Sequence, residues 1–334
     1  MEKSVLLIGG AGYIGPVVTE NLLNSKAKVT CLDLLLYENK KSIENFLTDK
    51  NYSFVHGDLS DFSLIDPILE SITDVVILAG LVGDPITRKY PIESKLINEV
   101  KIMGFIDHLN NRGLNKVIYI STCSNYGLIP ENTLADENYP LNPLSLYAES
   151  KVAMEDYILD SSTQKDYHPV VLRFATAFGV APRMRFDLTV NQFVLELKSI
   201  GRVEVYDPDT WRPYCHVKDF ARLINLVLSA ADHLVSYQVF NAGNEKNTFT
   251  KRDLINMIQR YIPNTKVNYL ASGGDPRNYK VNFSKVREKL GFVAETTVEN
   301  GIVEILNAII NKKFSYSDKK SNYHGNYNIE FNNL

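Results

Sequence analysis

Cysteine is scarce in this 334-residue chain: Cys31, Cys123 and Cys215 stand far apart, without a CxxC pair or histidine-rich company. An odd, scattered set argues against a disulfide framework and offers no zinc-ligand spacing, so no metal site is expected and a reducing cytoplasm fits. Long apolar runs are lacking as well. The run "VLLIGGAG" near the N-terminus is short and broken by glycines, which is neither a signal peptide nor a membrane span. A charge excess of either sign is also missing: 36 basic and 39 acidic side chains leave a net −3. With both signs mixed along the chain there is no broad basic surface for a nucleic-acid backbone, and neither nucleic acid nor membrane is an expected partner.

What is present is a chain that is 45% hydrophobic, long enough for one large domain or two that share an interface. Short apolar runs ("SVLLIG", "KVTCLD", "YSFVHGD", "DVVILAG", "KVIYIST", "HPVVLRF") alternate with helix-length amphipathic segments. Strands covered on both faces read in this way, which predicts a Rossmann-type α/β fold, a doubly wound parallel sheet. After Phe174 longer polar-apolar helices take over, implying a smaller, mainly helical second domain. "YQVFNAG" is strand-like and is expected to return to the first sheet. The expected division is therefore discontinuous: residues 1–176 plus about 213–243, then 177–212 plus about 244–313, then a tail of residues 314–334. The tail is polar and rich in Asn and Tyr, a composition that suggests a mobile end with partial packing.

The first apolar run leads into "GGAGYIGP", where Gly10-x-Gly12-x-x-Gly15 and Gly9-x-x-Gly12-x-x-Gly15 both fit. Glycines between a strand and a helix allow a tight turn and let the backbone approach a pyrophosphate at the helix N-terminus. Pro16 falls in the first helical turn, where a missing N–H costs nothing. Asp33 ends the second strand about 18 residues past Gly15; an acid there accepts hydrogen bonds from the adenosine ribose and repels a 2′-phosphate, favouring NAD over NADP. Asp58, after the third strand, is placed to reach the adenine amino group or to cap its loop.

Tyr147 and Lys151, in "SLYAESKVAMEDYI", sit four apart on one helix face. A lysine beside a phenol stabilises the phenolate and draws its pKa toward neutrality, making Tyr147 a general base, while Thr122 after the fifth strand holds the same substrate hydroxyl.

These motifs, with "LAGLVGDP", "STCSNYG", "LRFATAFG", "WRPYCHVKDFA", "FNAG" and "DPRNYKVNFSKVREKLGF" in the same order, resemble the extended short-chain dehydrogenase/reductase family, specifically its nucleotide-sugar epimerases, dehydratases and reductases. The resemblance implies NAD held by Gly9, Gly12, Tyr13, Ile14, Gly15, Asp33, Asp58, Leu59, Leu78, Ala79, Gly80, Asn98, Tyr147 and Lys151. Thr122, Tyr147 and Lys151 would be catalytic, and hydride would pass between a sugar carbon and the nicotinamide. A GDP-, UDP- or dTDP-linked sugar would be held by Ser124, Arg183, Arg185, Asn191, Arg212 and Arg277, guanidinium forks being suited to a diphosphate.

Family dehydratases carry Asp-Glu after the threonine, whereas Cys123-Ser124 stand here, which disfavours a 4,6-dehydratase. Cys123 reads as a small buried hydrophobe, Arg173 as a salt-bridge partner, and His216 as a packing or hydrogen-bonding residue. "LRFATAFGVAPRMRFDLTVNQF" and "LAGLVGDP" also resemble a narrower group acting in bacterial surface-polysaccharide synthesis, which includes C4 oxidation of a GDP-linked heptose. The leading expectation is thus a C4 dehydrogenase of a nucleotide-activated hexose or heptose. A 4-epimerase shares the same residues, and a non-catalytic NAD-binding sensor is the reading from another class. Family members pair through two helices each; Val152, Ala153, Met154, Ile158 and Leu159 supply both a core face and a partner face, so a homodimer is expected.

Overall fold

The computed structural model describes residues 3–271 and 277–329. Seven strands form one parallel sheet: β1 (Ser4–Ile8), β2 (Lys28–Asp33), β3 (Tyr52–His56), β4 (Asp74–Ile77), β5 (Lys116–Thr122), β6 (His168–Phe174) and, further along the chain, the strand Gln238–Ala242. Their order across the sheet is Gln238–Ala242, β6, β5, β4, β1, β2, β3. The order reverses beside β1, and in such sheets ligands bind beyond the carboxyl ends of the strands at that reversal. The apolar runs are buried because helices cover both faces; Val5, Leu7 and Ile118 pack on one side, Leu6, Val75 and Val117 on the other.

The Gly15–Asn24 helix follows β1 after the glycine turn of residues 9–14, with Pro16 in its first turn. A side chain at Gly15 would force the backbone to shift: a Cβ would lie 2.1 Å from the Gly10 carbonyl oxygen. The "YQVFNAG" strand does return to the sheet, pairing in parallel with β6.

Helices dominate after Phe174, as the sequence suggests, but short strands accompany them. β7 (Thr176–Phe178), β8 (Arg202–Tyr206) and β9 (Trp211–His216) precede the returning strand, β10; β11 (Thr248–Thr250) and β12 (Lys266–Leu270) follow it. They make a three-stranded sheet, β11-β9-β7, and a two-stranded one, β12-β8. β8, "RVEVY", alternates exposed and buried positions, the period-2 signature of a strand covered on one face. The helices Thr189–Ile200, Lys251–Tyr261 and Val298–Ile310 close a separate core with Val203, Val205 and Tyr214. Among the described residues, no helix is long and apolar enough to cross a membrane.

The tail shows the packing that its aromatic content suggests. Phe314 packs edge-on against Phe186 and His324, the Phe186 amide donates to the His324 carbonyl at 2.9 Å, and Ile329 is buried. Its aromatic and asparagine side chains find individual partners, although the segment has no repeating apolar pattern to announce them.

Candidate active site

One cleft runs along the carboxyl ends of β1, β2, β4 and β5 and is closed on its other side by the segment after β7, by β9 and by the tail. Gly9, Gly12, Tyr13, Ile14, Gly15, Asp33, Leu59, Leu78, Ala79 and Gly80 all line it. Asp33 accepts hydrogen bonds from the Ala11 amide at 2.9 Å and the Leu35 amide at 2.7 Å. Burial raises its carboxyl above the ordinary value, and those two donors oppose the rise. The residues suit a dinucleotide: a Cβ on Gly12 would meet only the Gly9 oxygen, at 3.4 Å, so its backbone offers a cradle a side chain would fill, beside a fixed acceptor for a ribose.

Two residues expected at the cofactor do not line the cleft. Asp58 is spent on Lys101, with which it forms a close ion pair, and on the Ser60 amide and hydroxyl. Asn98, buried, brackets Leu81, accepting from its amide at 2.7 Å and donating to its carbonyl at 3.1 Å. It therefore braces the Leu78–Leu81 lip from behind.

Thr122, Tyr147 and Lys151 do come together in the cleft. β5 delivers Thr122, whose Oγ1 accepts from the Ser124 amide at 3.1 Å, leaving its own proton to donate. The Leu146–Leu159 helix, capped by the Ser145 hydroxyl on the Ala148 amide, carries the other two. Lys151 Nζ donates to the Ile120 carbonyl at 2.8 Å and lies 5.9 Å from the Tyr147 ring centre. Burial drives the lysine down to about 7. The phenol moves opposite to the sequence expectation: burial first, and the Asp84 carboxylate second, push Tyr147 above the ordinary tyrosine value. The reason is desolvation: the cleft disfavours a phenolate, and the nearby Arg185 and Arg277 offset that only in part.

Of the substrate residues, Ser124, Arg183, Arg185, Arg212 and Arg277 line the cleft and Asn191 does not. Asn191 is fully buried, accepting from the Gly179 amide and donating to the Tyr13 hydroxyl and the Arg185 carbonyl; it fixes the loop that carries the arginines. Arg185 is chelated by Asp187 at 2.6 and 2.7 Å. Arg277 pairs with Asp84 at 2.7 Å, and the other oxygen of Asp84 accepts from the Ser145 cap at 2.7 Å. Arg212 lies over the Tyr279 ring, 5.1 Å from its centre, and Tyr279 reaches Ser124 at 3.3 Å. Arg183 faces the tail, with its guanidinium over the Tyr37 ring. Gly273–Pro276, which precede Arg277, lie outside the described residues.

Arg173 is indeed a structural cation, paired with Glu155 at 2.6 Å beneath the site. Cys123 is buried, its thiol on the Arg173 carbonyl, and His216 bonds Glu304 at 2.8 Å. Sequence reasoning missed Tyr37, Asp84, Tyr279 and Asn326 as cleft residues. Asp84 had a signal in "LVGDP" and Tyr37 in standing four residues after Asp33; Asn326 had none. Among the described residues no cluster of three or more His, Cys, Asp or Glu could hold a metal ion.

Comparison with known proteins accords with this architecture. A UDP-glucose 4-epimerase from Lacticaseibacillus casei is 24% identical over 312 residues, covering 86% of this chain and 91% of the relative. Among solved structures, a UDP-glucuronic acid 4-epimerase from Bacillus cereus in complex with NAD matches with a TM-score of 0.84 at 21% identity, over 92% of this chain and 99% of its own. A dTDP-glucose 4,6-dehydratase from Streptomyces venezuelae with NAD bound matches with a TM-score of 0.83 at 22% identity, over 94% and 99%. The family model for NAD dependent epimerases and dehydratases matches residues 5–243, and the chain belongs to that NAD dependent epimerase/dehydratase family.

Proposed function

We propose that the protein oxidises C4 of a nucleotide-activated hexose or heptose, with GDP-, UDP- and dTDP-linked sugars, a GDP-linked heptose among them, as candidates. The observation that carries this reading is the meeting of Thr122, Tyr147 and Lys151 on one side of a cleft that Arg212 and Arg277 line on the other. Bound NAD supplies the hydride acceptor. Thr122 donates to the C4 oxygen and Tyr147 takes its proton; the O–H and C4–H bonds break, C4=O forms, and the hydride leaves C4 with its electron pair. Because the cleft holds Tyr147 above its ordinary pKa, the phenolate forms only once additional positive charge enters, which ties proton transfer to the loaded state. Lys151 also anchors the nicotinamide ribose in this reading.

Elimination of water is disfavoured, because Ser124 and the buried Cys123 follow Thr122 where a dehydratase needs an acid and a base. A ketone that leaves makes the protein a dehydrogenase; one that turns over and is reduced on its other face makes it a 4-epimerase. The tail over the cleft and the epimerase among the relatives favour the second outcome. Incubating the protein with a GDP-linked heptose and with common UDP-, dTDP- and GDP-hexoses, followed by mass and retention analysis, tests both. A product two hydrogens lighter means release, unchanged mass with shifted retention means epimerisation, and no conversion of any sugar overturns the reading.

A homodimer belongs to the same proposal. Ile92, Leu96 and Val100 are exposed at every fourth position along the segment that packs beside the Leu146–Leu159 helix, an apolar stripe suited to a second copy. Light scattering that returns the mass of one chain would refute it.

A further inference from the structure

The cleft has a wall that neither the motifs nor the fold class call for. Arg183, buried in the loop after β7, turns Nη2 to the tail, donating to the Asn322 carbonyl at 3.2 Å, the Gly325 carbonyl at 3.3 Å and Asn326 Oδ1 at 2.9 Å. Asn326 passes the connection on, its Nδ2 donating to the Val82 carbonyl at 2.9 Å. Three residues later Ile329 is buried among Tyr37, Leu81, Ile86 and Ile97. Lys89 reaches back to Asn328.

These contacts join three segments that surround the dinucleotide end of the cleft. Tyr37 belongs to the lip after β2, four residues beyond Asp33; Leu81 and Val82 belong to the lip after β4; Arg183 belongs to the opposite loop. Tyr37, Val82, Arg183 and Asn326 all line the cleft itself. Ordering a polar segment costs backbone entropy at every residue, so a tail spread over this rim is held there by its specific partners. Arg183 is expensive to bury: desolvation, then the neighbouring Arg185, push its guanidinium down to about 10. The tail carbonyls offset that cost, and Arg183 in turn fixes the tail.

We infer that residues 314–329 are a binding element for the dinucleotide: Asn326, clasped by Arg183, completes the cofactor site, and the tail closes the cleft so that NAD and NADH stay bound through turnover. Arg183 is then an anchor of this wall rather than a ligand of the sugar diphosphate. The inference deepens the C4 reading, since a cofactor that does not exchange returns its hydride to the ketone that produced it. A closed redox cycle follows, which is the condition epimerisation requires.

The test uses the full chain loaded with NADH and chased with excess NAD⁺, following loss of bound-NADH fluorescence. Ile329→Asp places a carboxylate in the apolar seat of the tail; a second variant ends the chain after Lys313. Release at least tenfold faster in Ile329→Asp, with thermal unfolding of the cofactor-free protein within a few degrees of the parent, is the expected result. The shortened chain should match it or exceed it. Release at the parental rate in Ile329→Asp overturns the inference, whether or not the shortened chain folds. No sugar is present in this experiment, so its failure is distinct from failure of the C4 reading, which would show as no reduction of bound NAD⁺ by any nucleotide sugar.

Discussion

The two walls of the cleft are built on different principles. On the sheet side, β1, β2 and β5 end in positions fixed by a continuous ladder, and the groups they present are held by the backbone: Asp33 by two amides, Thr122 by the Ser124 amide, Lys151 by the Ile120 carbonyl. On the far side the charged groups are held by each other. Arg185 is chelated by Asp187, Arg277 by Asp84, and Arg183 by the tail. A ligand on the first wall meets donors and acceptors already in place, which is the condition for rate. A ligand phosphate on the second wall must exchange with a carboxylate or slip beside it, so that wall sets affinity and access.

If the division is right, substitutions on the sheet side strike turnover and those on the far side strike binding. Tyr147→Phe should show the largest effect, lowering kcat by about 10²–10⁴-fold while NAD binding measured by calorimetry is retained; unchanged sugar conversion would remove Tyr147 from the chemistry. Gly15→Ala should come next. Its Cβ would collide with the Gly10 carbonyl, and the backbone shift should lower stability by about 1–3 kcal/mol and weaken NAD binding; an unshifted denaturation midpoint would contradict the close approach. On the far wall, Arg277→Lys removes the planar fork, and KM for the nucleotide sugar should rise about tenfold, the loss of one charge-assisted hydrogen bond, with kcat within twofold. A fall in kcat instead would move Arg277 to the catalytic side of the comparison.

The smallest effect concerns Lys151 without cofactor. Its folded pKa, about 7, lies below the unfolded value, so between pH 7 and the unfolded value the unfolded chain binds the extra proton and the folded one does not. Lys151 therefore adds stability as pH rises through that window and loses it as pH falls toward 7. Thermal melts of the cofactor-free parent and Lys151→Met should diverge in this sense, the parent gaining on the variant from pH 6.5 to 9; a gap independent of pH would mean that the lysine is not desolvated.

The sheet wall was legible in the sequence because its signals are local. Glycines, a strand end and an acid 18 residues on, or a tyrosine and a lysine one helical turn apart, act within one strand-helix unit and are read without knowing the rest of the fold. The other wall depends on partners far apart in the chain. The same holds for the contacts that Asp58 makes to Lys101, Asn191 to Tyr13 and Gly179, and Asn98 to Leu81, none of which a local pattern announces. Asp84 and Arg277 are unremarkable until the fold sets them 2.7 Å apart. The pKa direction at Tyr147 was lost for a related reason: helix spacing gives the distance to Lys151 but not the desolvation of both groups.

The position of the tail bears on how the molecule is made. Chains leave the ribosome N-terminal end first, at about 5–20 residues per second, so the glycine turn, Asp33 and both lips of the cleft emerge well before Asn326 and Ile329. For that interval the cleft is a half-open cradle that a dinucleotide can enter without displacing anything. On the proposed role of the tail, a dinucleotide present during that interval meets the glycine turn and both lips of the cleft before the wall made by Asn326 and Ile329 exists.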